Sequence, residues 1–240
     1  MSNSASPTVV LVHGAFADSS GWNATVERLQ DAGIATKAVP NPLRGITEDA
    51  AYVASAIQQT QGPVLVVGHS YGGAVLTNAA TRLDNVVGLV YVAAFAPDEG
   101  ETLMQIEGNS RDSVLTSALV ELTYPSAPGT QTELMIDPAQ FHDAFAADIP
   151  PKEAAVMAAT QRPVSALGFS EKNGPPAWKT RPSWAAVATG DKAAGSDVVR
   201  SMAERAGAAI TEIDGSHVIM VSQPKAVTDV ILRAVAEVGR

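Results

Sequence analysis

The chain has 240 residues and a mass of 24.8 kDa, a length that one α/β domain with a substantial core reaches undivided. Sixteen Lys and Arg against 25 Asp and Glu give a formal charge of −9, which repels a polyanion such as DNA, and no basic patch in the sequence offsets it. Fractions of 46% hydrophobic and 17% charged residues exclude a disordered or collagen-like chain, and the absence of cysteine excludes disulfides, thiolate metal sites and a thiol nucleophile.

In chain order, MSNSASPTVVLVHG has no basic stretch and its apolar run stops at Gly14, so it predicts a lead into a strand rather than a signal peptide or membrane span. The cytoplasm is then the default location. TVVLVHG (8–14) is the first of six short Val- and Leu-rich runs, followed by IATKAVP (34–40), PVLVVGHS (63–70), NVVGLVYVAAF (85–95), SWAAVATGD (183–191) and AAITEID (208–214). Near-continuous apolar runs of this length suit parallel strands covered on both faces. Helix patterns alternate with them: WNATVERLQDAG after Ser19 and Ser20, with Gly33 as its stop, then EDAAYVASAIQQ, AVLTNAATRL after Ser70, DVVRSMAERAG after Ser196, and KAVTDVILRAVAEVG after Pro224. Asn23-Ala24-Thr25 matches a glycosylation sequon, which without an export signal is a chance match.

Strand and helix in alternation predict an α/β fold: a doubly wound, mainly parallel sheet that binds ligands beyond the carboxyl ends of its strands. One stretch breaks the rhythm. From about 97 to 182 no strand run of comparable strength occurs, while PDEGET, YPSAPGT, IDPAQ, IPPKE and NGPPAWK punctuate helix-like pieces at 113–122, 139–148 and 152–161. A structureless loop of that length is rare, so the stretch is predicted to be a helical cap inserted into a single domain spanning 1–240.

Gly68-His69-Ser70-Tyr71-Gly72 fits G-x-S-x-G, with a hydrophobic strand before it and a helix pattern directly after it. A sharp strand-to-helix turn holds the serine in a strained conformation, and its neighbours two residues away must be small. Gly68 and Gly72 are. Ser70 is therefore the candidate nucleophile, against the plainer reading of a helix N-cap, and the N–H of Tyr71 is a candidate oxyanion donor at the helix start. A serine needs a base, and the base needs a carboxylate to orient it. Of four histidines, His13 and His69 lie inside glycine motifs and His142 in the inserted stretch, which leaves His217 in IDGSHVIMVSQP after the last strand. Asp191, directly after the penultimate strand, is the preferred acid, with Asp197, Asp214 and Asp98 as alternatives. The second oxyanion donor is the N–H of Ala15, where Gly14 permits a tight bend after the first strand.

VLVHGAF, VVGHSYGGAV, YVAAFAPDEGET and IDGSHVIMVSQP together resemble the α/β-hydrolase superfamily, in particular the small branch with plant methyl-ester esterases, hydroxynitrile lyases and many bacterial esterases. The resemblance covers nearly all of the chain outside the cap. It implies Ser70 as nucleophile, His217 as base, Asp191 as acid, Ala15 and Tyr71 as oxyanion donors, and no cofactor or metal. Two departures stand out. The lyases carry a lysine after the catalytic histidine where this chain has Val218, and relatives often place proline soon after the acid where this chain reads KAAGS.

The expected activity is hydrolysis of a small to medium, mostly apolar carboxylic ester, a small-molecule partner. Phe16, Met104, Phe141, Phe145 and Met220 are the candidate pocket residues, drawn from a wider apolar set that adds Leu119, Leu122, Met157, Leu167 and Trp178. A lactone, amide or C–C bond in place of the ester, or a ligand-binding protein with a vestigial triad, remain alternatives. Self-association into a homodimer stays open.

Overall fold

The computed structural model describes residues 6–127 and 129–239; the first five residues of the N-terminal lead and Pro128 of YPSAPGT lie outside them. In chain order the strands are β1 (Thr8–Val12), β2 (Thr36–Val39), β3 (Val64–His69), β4 (Val86–Val92), β5 (Leu119–Pro125), β6 (Thr130–Ile136), β7 (Val164–Ser165), β8 (Ser183–Ala188) and β9 (Ala209–Ile213). The helices are α1 (Asn23–Asp31), α2 (Ile46–Gln58), α3 (Tyr71–Ala79), α4 (Leu103–Gly108), α5 (Leu115–Ala118), α6 (Pro138–Phe145), α7 (Pro151–Thr160), α8 (Leu167–Ser170), α9 (Ser196–Arg205), α10 (Ile219–Ser222) and α11 (Pro224–Val238). Among the described residues no helix is long and apolar enough to cross a membrane.

All six Val- and Leu-rich runs form one parallel sheet in the order β2-β1-β3-β4-β8-β9. Every residue of β3 is buried, as a strand covered by helices on both faces requires. Each of its apolar side chains, Val64, Leu65, Val66 and Val67, contributes roughly 2 kcal/mol by leaving water. The β1–α1–β2 crossover runs one way along the sheet and β2–α2–β3 runs back past β1. With right-handed crossovers the two helices fall on opposite faces, where α1 packs with α11 and α2 packs with α3. The reversal puts the topological switch point between the carboxyl ends of β1 and β3, the place where such sheets bind ligands. Residues 13–16 and Ser70 leave the sheet there.

The stretch between β4 and β8 carries helices at 138–145 and 151–160 where the helix-like pieces predict them, but it is not wholly helical. The piece at 113–122 forms only the short α5 before the chain extends into β5, which pairs antiparallel with β6 from Leu119↔Ile136 to Pro125↔Thr130. β7 adds a third strand through Leu134↔Val164. These strands escape a search for buried runs because most of β5 faces solvent and its partner is rich in Thr, Gln and Glu.

The close approach of β1, β3 and α3 depends on glycine. A Cβ on Gly68 would lie 2.6 Å from the carbonyl oxygen of Gly72, and one on Gly72 would lie 2.6 Å from that of Val12. Both obstacles are backbone and cannot swing away. Gly72→Ala is therefore expected to lower the unfolding free energy by about 3 kcal/mol, read from a shifted urea midpoint, or to prevent folding.

Candidate active site

Ser70 has φ 52° and ψ −125°, a left-handed conformation between the end of β3 and the start of α3. An N-cap serine normally sits in the extended region and bonds a helix N–H, whereas the Ser70 side chain makes no cap hydrogen bond. Its main chain is clamped instead: the Ser70 N–H donates to Val92 O at 3.3 Å, and Ser70 O accepts from Gly73 N at 2.9 Å and Phe95 N at 3.2 Å. Such a backbone stores roughly 1–3 kcal/mol of strain that the surrounding structure must hold. The residue is 6% exposed.

The loop after β9 brings His217 to the same edge. Its Nδ1 lies 2.8 Å from Asp191 Oδ2, and both side chains are buried. The other oxygen of Asp191 accepts from Ala193 N at 2.9 Å and Ala194 N at 3.0 Å. Both oxygens thus have partners, which fixes the plane of the carboxylate. Ser196 closes the turn, with its Oγ accepting from Asp191 N and donating to Ala188 O. These bonds give the KAAGS loop its shape without a proline. The Gly190 N–H donates to Gly215 O and ties the Asp191 loop to the His217 loop.

The other acids are engaged elsewhere. Asp197 accepts from Ser110 Oγ and Arg111 N, Asp214 from Thr189 Oγ1, and Asp98 from Lys179 Nζ at 2.5 Å. His142 Nε2 bonds the Ile149 carbonyl and holds the end of α6.

Ala15 follows Gly14 in the turn after β1, and Gly14 lies so close to Ser70 that a Cβ on it would stand 2.7 Å from Ser70 Cβ. His13 orients this turn. Its Nε2 accepts from Asn41 N at 2.9 Å, so its proton sits on Nδ1, which donates to Gly14 O at 2.9 Å. The Gly14 carbonyl and the Ala15 N–H belong to one planar peptide, so holding the first aims the second. Arg162 Nη1, from the inserted stretch, lies 3.3 Å from His13 Nε2 and donates to Asn41 O at 2.9 Å. Burial, reinforced by the Arg162 charge and opposed by the Gly14 bond, lowers the His13 pKa to about 4, so the ring is neutral at pH 7. Tyr71 begins α3, where helix geometry leaves its N–H without an intrahelical acceptor. Its hydroxyl points away from that role and donates to buried Asp49 at 2.8 Å. Burial raises the pKa of both groups, with the neighbouring carboxylate adding to the Tyr71 rise.

Of the candidate pocket residues, Phe16 and Met220 line a cavity of about 150 Å³ together with Met157 and Val218, and Asp18 and Glu153 stand on its wall. Phe145 packs its ring 4.9 Å from that of His217 and edge-on to Phe16, and Phe141 backs it at 5.0 Å. Met104 belongs to neither group. It is 58% exposed, because the short α4 buries Leu103, Ile106 and Glu107 and turns Met104 outward. Leu122 and Leu167 are exposed too, Leu119 packs half-buried against the core, and Trp178 is buried with its Nε1 donating to Pro97 O. Among the described residues no group of three His, Asp or Glu side chains gathers as a metal site.

Residues 9–230 match the model of the alpha/beta hydrolase family. The chain belongs to that family. Over 111 residues it is 32% identical to a probable hydrolase, R7, of Phoma sp., a match covering 40% of this chain and 46% of that one. Over 44 residues it is 48% identical to a carbendazim hydrolyzing esterase of Nocardioides sp., covering 18% of each. The chain thus spans less than half the length of these curated relatives. Among solved structures it is similar to polyneuridine aldehyde esterase, with a TM-score of 0.81 at 20% identity over 96% of this chain and 99% of that one. Placed in the alpha/beta hydrolase family, the chain shows two site features that its motifs do not reveal: the bond from His69 Nε2 to the His217 carbonyl, and the Arg162–Asn41–His13 relay. Both join residues far apart in sequence.

Two outcomes follow from the buried polar groups. Tyr71→Phe leaves one Asp49 oxygen without its hydroxyl donor, and is expected to lower the unfolding free energy by about 1–3 kcal/mol in urea denaturation. The folded state holds His13 near pKa 4, against about 6.5 for an unperturbed imidazole, so between these values the unfolded chain binds more protons. Stability is complete above pH 6.5 and falls as pH drops towards 4, by on the order of 3 kcal/mol from this residue. His13→Asn is expected to flatten that decline when urea midpoints are compared across the same pH range.

Proposed function

We propose that the chain is a serine hydrolase that cleaves a small to medium, mostly apolar carboxylic ester through an acyl-enzyme. The observation that carries this reading is the buried Asp191–His217 pair, joined at 2.8 Å, on the same sheet edge as a serine held at positive φ without a capping bond. His217 takes the proton of Ser70 Oγ as that oxygen attacks the ester carbonyl. The N–H groups of Ala15 and Tyr71 receive the negative charge on the tetrahedral oxygen, each such donor lowering the barrier by about 3 kcal/mol. His217 then gives its proton to the departing alkoxide, which leaves as the alcohol. A water, deprotonated by the same imidazole, attacks the acyl-enzyme and releases the acid. Asp191 keeps the Nδ1–H tautomer in place and stabilises the imidazolium formed in each half-reaction.

The cavity beside Phe16 and Met220 suits the substrate's apolar portion. Its other wall carries Asp18 and Glu153, and Asp18 is held ionised by the Ser20 hydroxyl and N–H, so an anionic substrate group is disfavoured there. Val218 follows His217 where the lyases of the family carry lysine, which removes the cation that would hold a cyanide leaving group and favours ester cleavage.

Turnover of p-nitrophenyl acetate tests the reading. Ser70→Ala and His217→Ala are each expected to lower kcat by about 10⁴-fold or more while circular dichroism shows an intact fold, and Asp191→Asn by about 10³- to 10⁴-fold. Asp197→Asn should leave kcat within a few-fold of the parent. Wild-type turnover in either Ser70→Ala or His217→Ala would overturn the mechanism, and equal losses in the two aspartate variants would overturn the choice of acid.

A further inference from the structure

His69 is fully buried beside Ser70 in the chain, and its Nε2 lies 3.0 Å from the main-chain carbonyl oxygen of His217. A carbonyl only accepts, so Nε2 carries the proton and donates it. The other ring nitrogen, Nδ1, is buried without a hydrogen-bond partner among the described residues. Its ring packs edge-on to Trp22 and to Phe145, at centroid distances of 6.4 Å each, and stands 4.7 Å from the ring of His217. Burial lowers the His69 pKa well below its ordinary value, so the ring stays neutral and keeps the single tautomer that this bond needs.

We infer that His69 is a positioning residue: its Nε2–H holds the His217 carbonyl and so sets where the His217 imidazole stands relative to Ser70. The inference rests on the reading of Ser70, His217 and Asp191 as the catalytic triad. His217 sits in a loop between β9 and the four-residue α10, a segment with little regular structure to locate it. Asp191 fixes the ring at Nδ1, and Ser216 anchors the preceding residue to Asp148. Neither contact refers to the strand that carries the nucleophile. The His69 bond does, because its donor precedes Ser70 at the rigid end of β3 and its acceptor belongs to His217 itself. Two fixed points on residue 217, one on the ring and one on the main chain, limit how the imidazole can swing. A displacement of about 1 Å at a proton-transfer pair is enough to cost about 100-fold in rate.

Three substitutions separate this role from packing. Gln places its amide nitrogen where His has Nε2, Asn places it where His has Nδ1, and Leu fills similar space with no donor. In p-nitrophenyl acetate assays, His69→Leu and His69→Asn are expected to lower kcat by about 10- to 100-fold with KM within about threefold of wild type, and His69→Gln to recover most of the loss. Wild-type kcat in both the Leu and Asn variants, or losses that follow melting temperature regardless of the amide's position, would overturn the inference. The wild-type protein supplies a measurement that needs no variant to fold: ¹⁵N spectra of the histidine rings should show His69 as a neutral Nε2–H tautomer, and an Nδ1–H tautomer would overturn it. Ser70→Ala is assayed alongside. If that variant turns over normally, the triad reading falls and this inference falls with it; if it is inactive while the Leu and Asn variants are unimpaired, only the positioning role falls.

Discussion

At the carboxyl end of the central sheet, three stretches of main chain meet with no room for a Cβ between them. Gly72 in the first turn of α3 lies against the carbonyls of Val12 and His13, and Gly14 lies against Ser70. The obstacles are main-chain carbonyls and the Ser70 Cβ, atoms that no rotamer change can move, so these contacts set distances more rigidly than the packing of longer side chains would. They seat α3 deep against the switch point between β1 and β3 and bring the turn after β1 beside the serine. The positive φ of Ser70 is sustained by the same contacts together with the hydrogen bonds to Val92, Gly73 and Phe95. Without that close seating, neither the strained serine nor the peptide of Ala15 would have a fixed relation to the other.

The histidines divide according to what their nitrogens meet. His13, His69 and His142 each bond a main-chain carbonyl, of Gly14, His217 and Ile149 respectively. His217 alone of the four faces a carboxylate through a ring nitrogen. The distinction is chemical. A carbonyl fixes a neutral ring in one tautomer, whereas a carboxylate also stabilises the ring after it gains a proton. Burial strengthens the contrast by keeping His13 and His69 uncharged. Three imidazoles are thus bonded to main-chain carbonyls, and the fourth has the carboxylate partner that the proposed base requires.

What the sequence disclosed follows from how local each signal is. The four central strands, β1, β3, β4 and β8, are legible because burial on both faces writes an unbroken apolar run, and the serine turn is legible because its steric demand falls on residues two positions away. The Asp191–His217 contact was reachable through chain order, since both residues follow strands that end on one edge. The β5–β6 hairpin is not legible: most of β5 faces solvent and β6 is largely half-buried and rich in threonine, glutamate and glutamine, so no apolar run marks either strand, and 113–122 reads as a helix. Met104 looked like a pocket residue because composition cannot tell which side of a two-turn helix faces inward. The His69 bond spans 148 positions, and the Arg162 contact with His13 spans 149, so neither leaves a local pattern.

The inserted stretch touches each of the three loops that meet at the site. Arg162 donates to Asn41 and approaches His13, which orients the turn carrying Ala15. Asp148 accepts from Ser216, the residue before His217. Ser113 Oγ donates to Ala193 O and Val114 N to Lys192 O, inside the loop that begins with Asp191. A segment that only covered the site could change freely in sequence and length, and the positions of the serine, histidine and aspartate would not respond. Here the inserted stretch holds the turn, the histidine loop and the aspartate loop by specific polar contacts, two of them through charged side chains. Changes that reshape the cavity near Met157 therefore act on a segment mechanically joined to the loops of the proposed triad, and cavity shape and loop geometry are coupled through the same few hydrogen bonds.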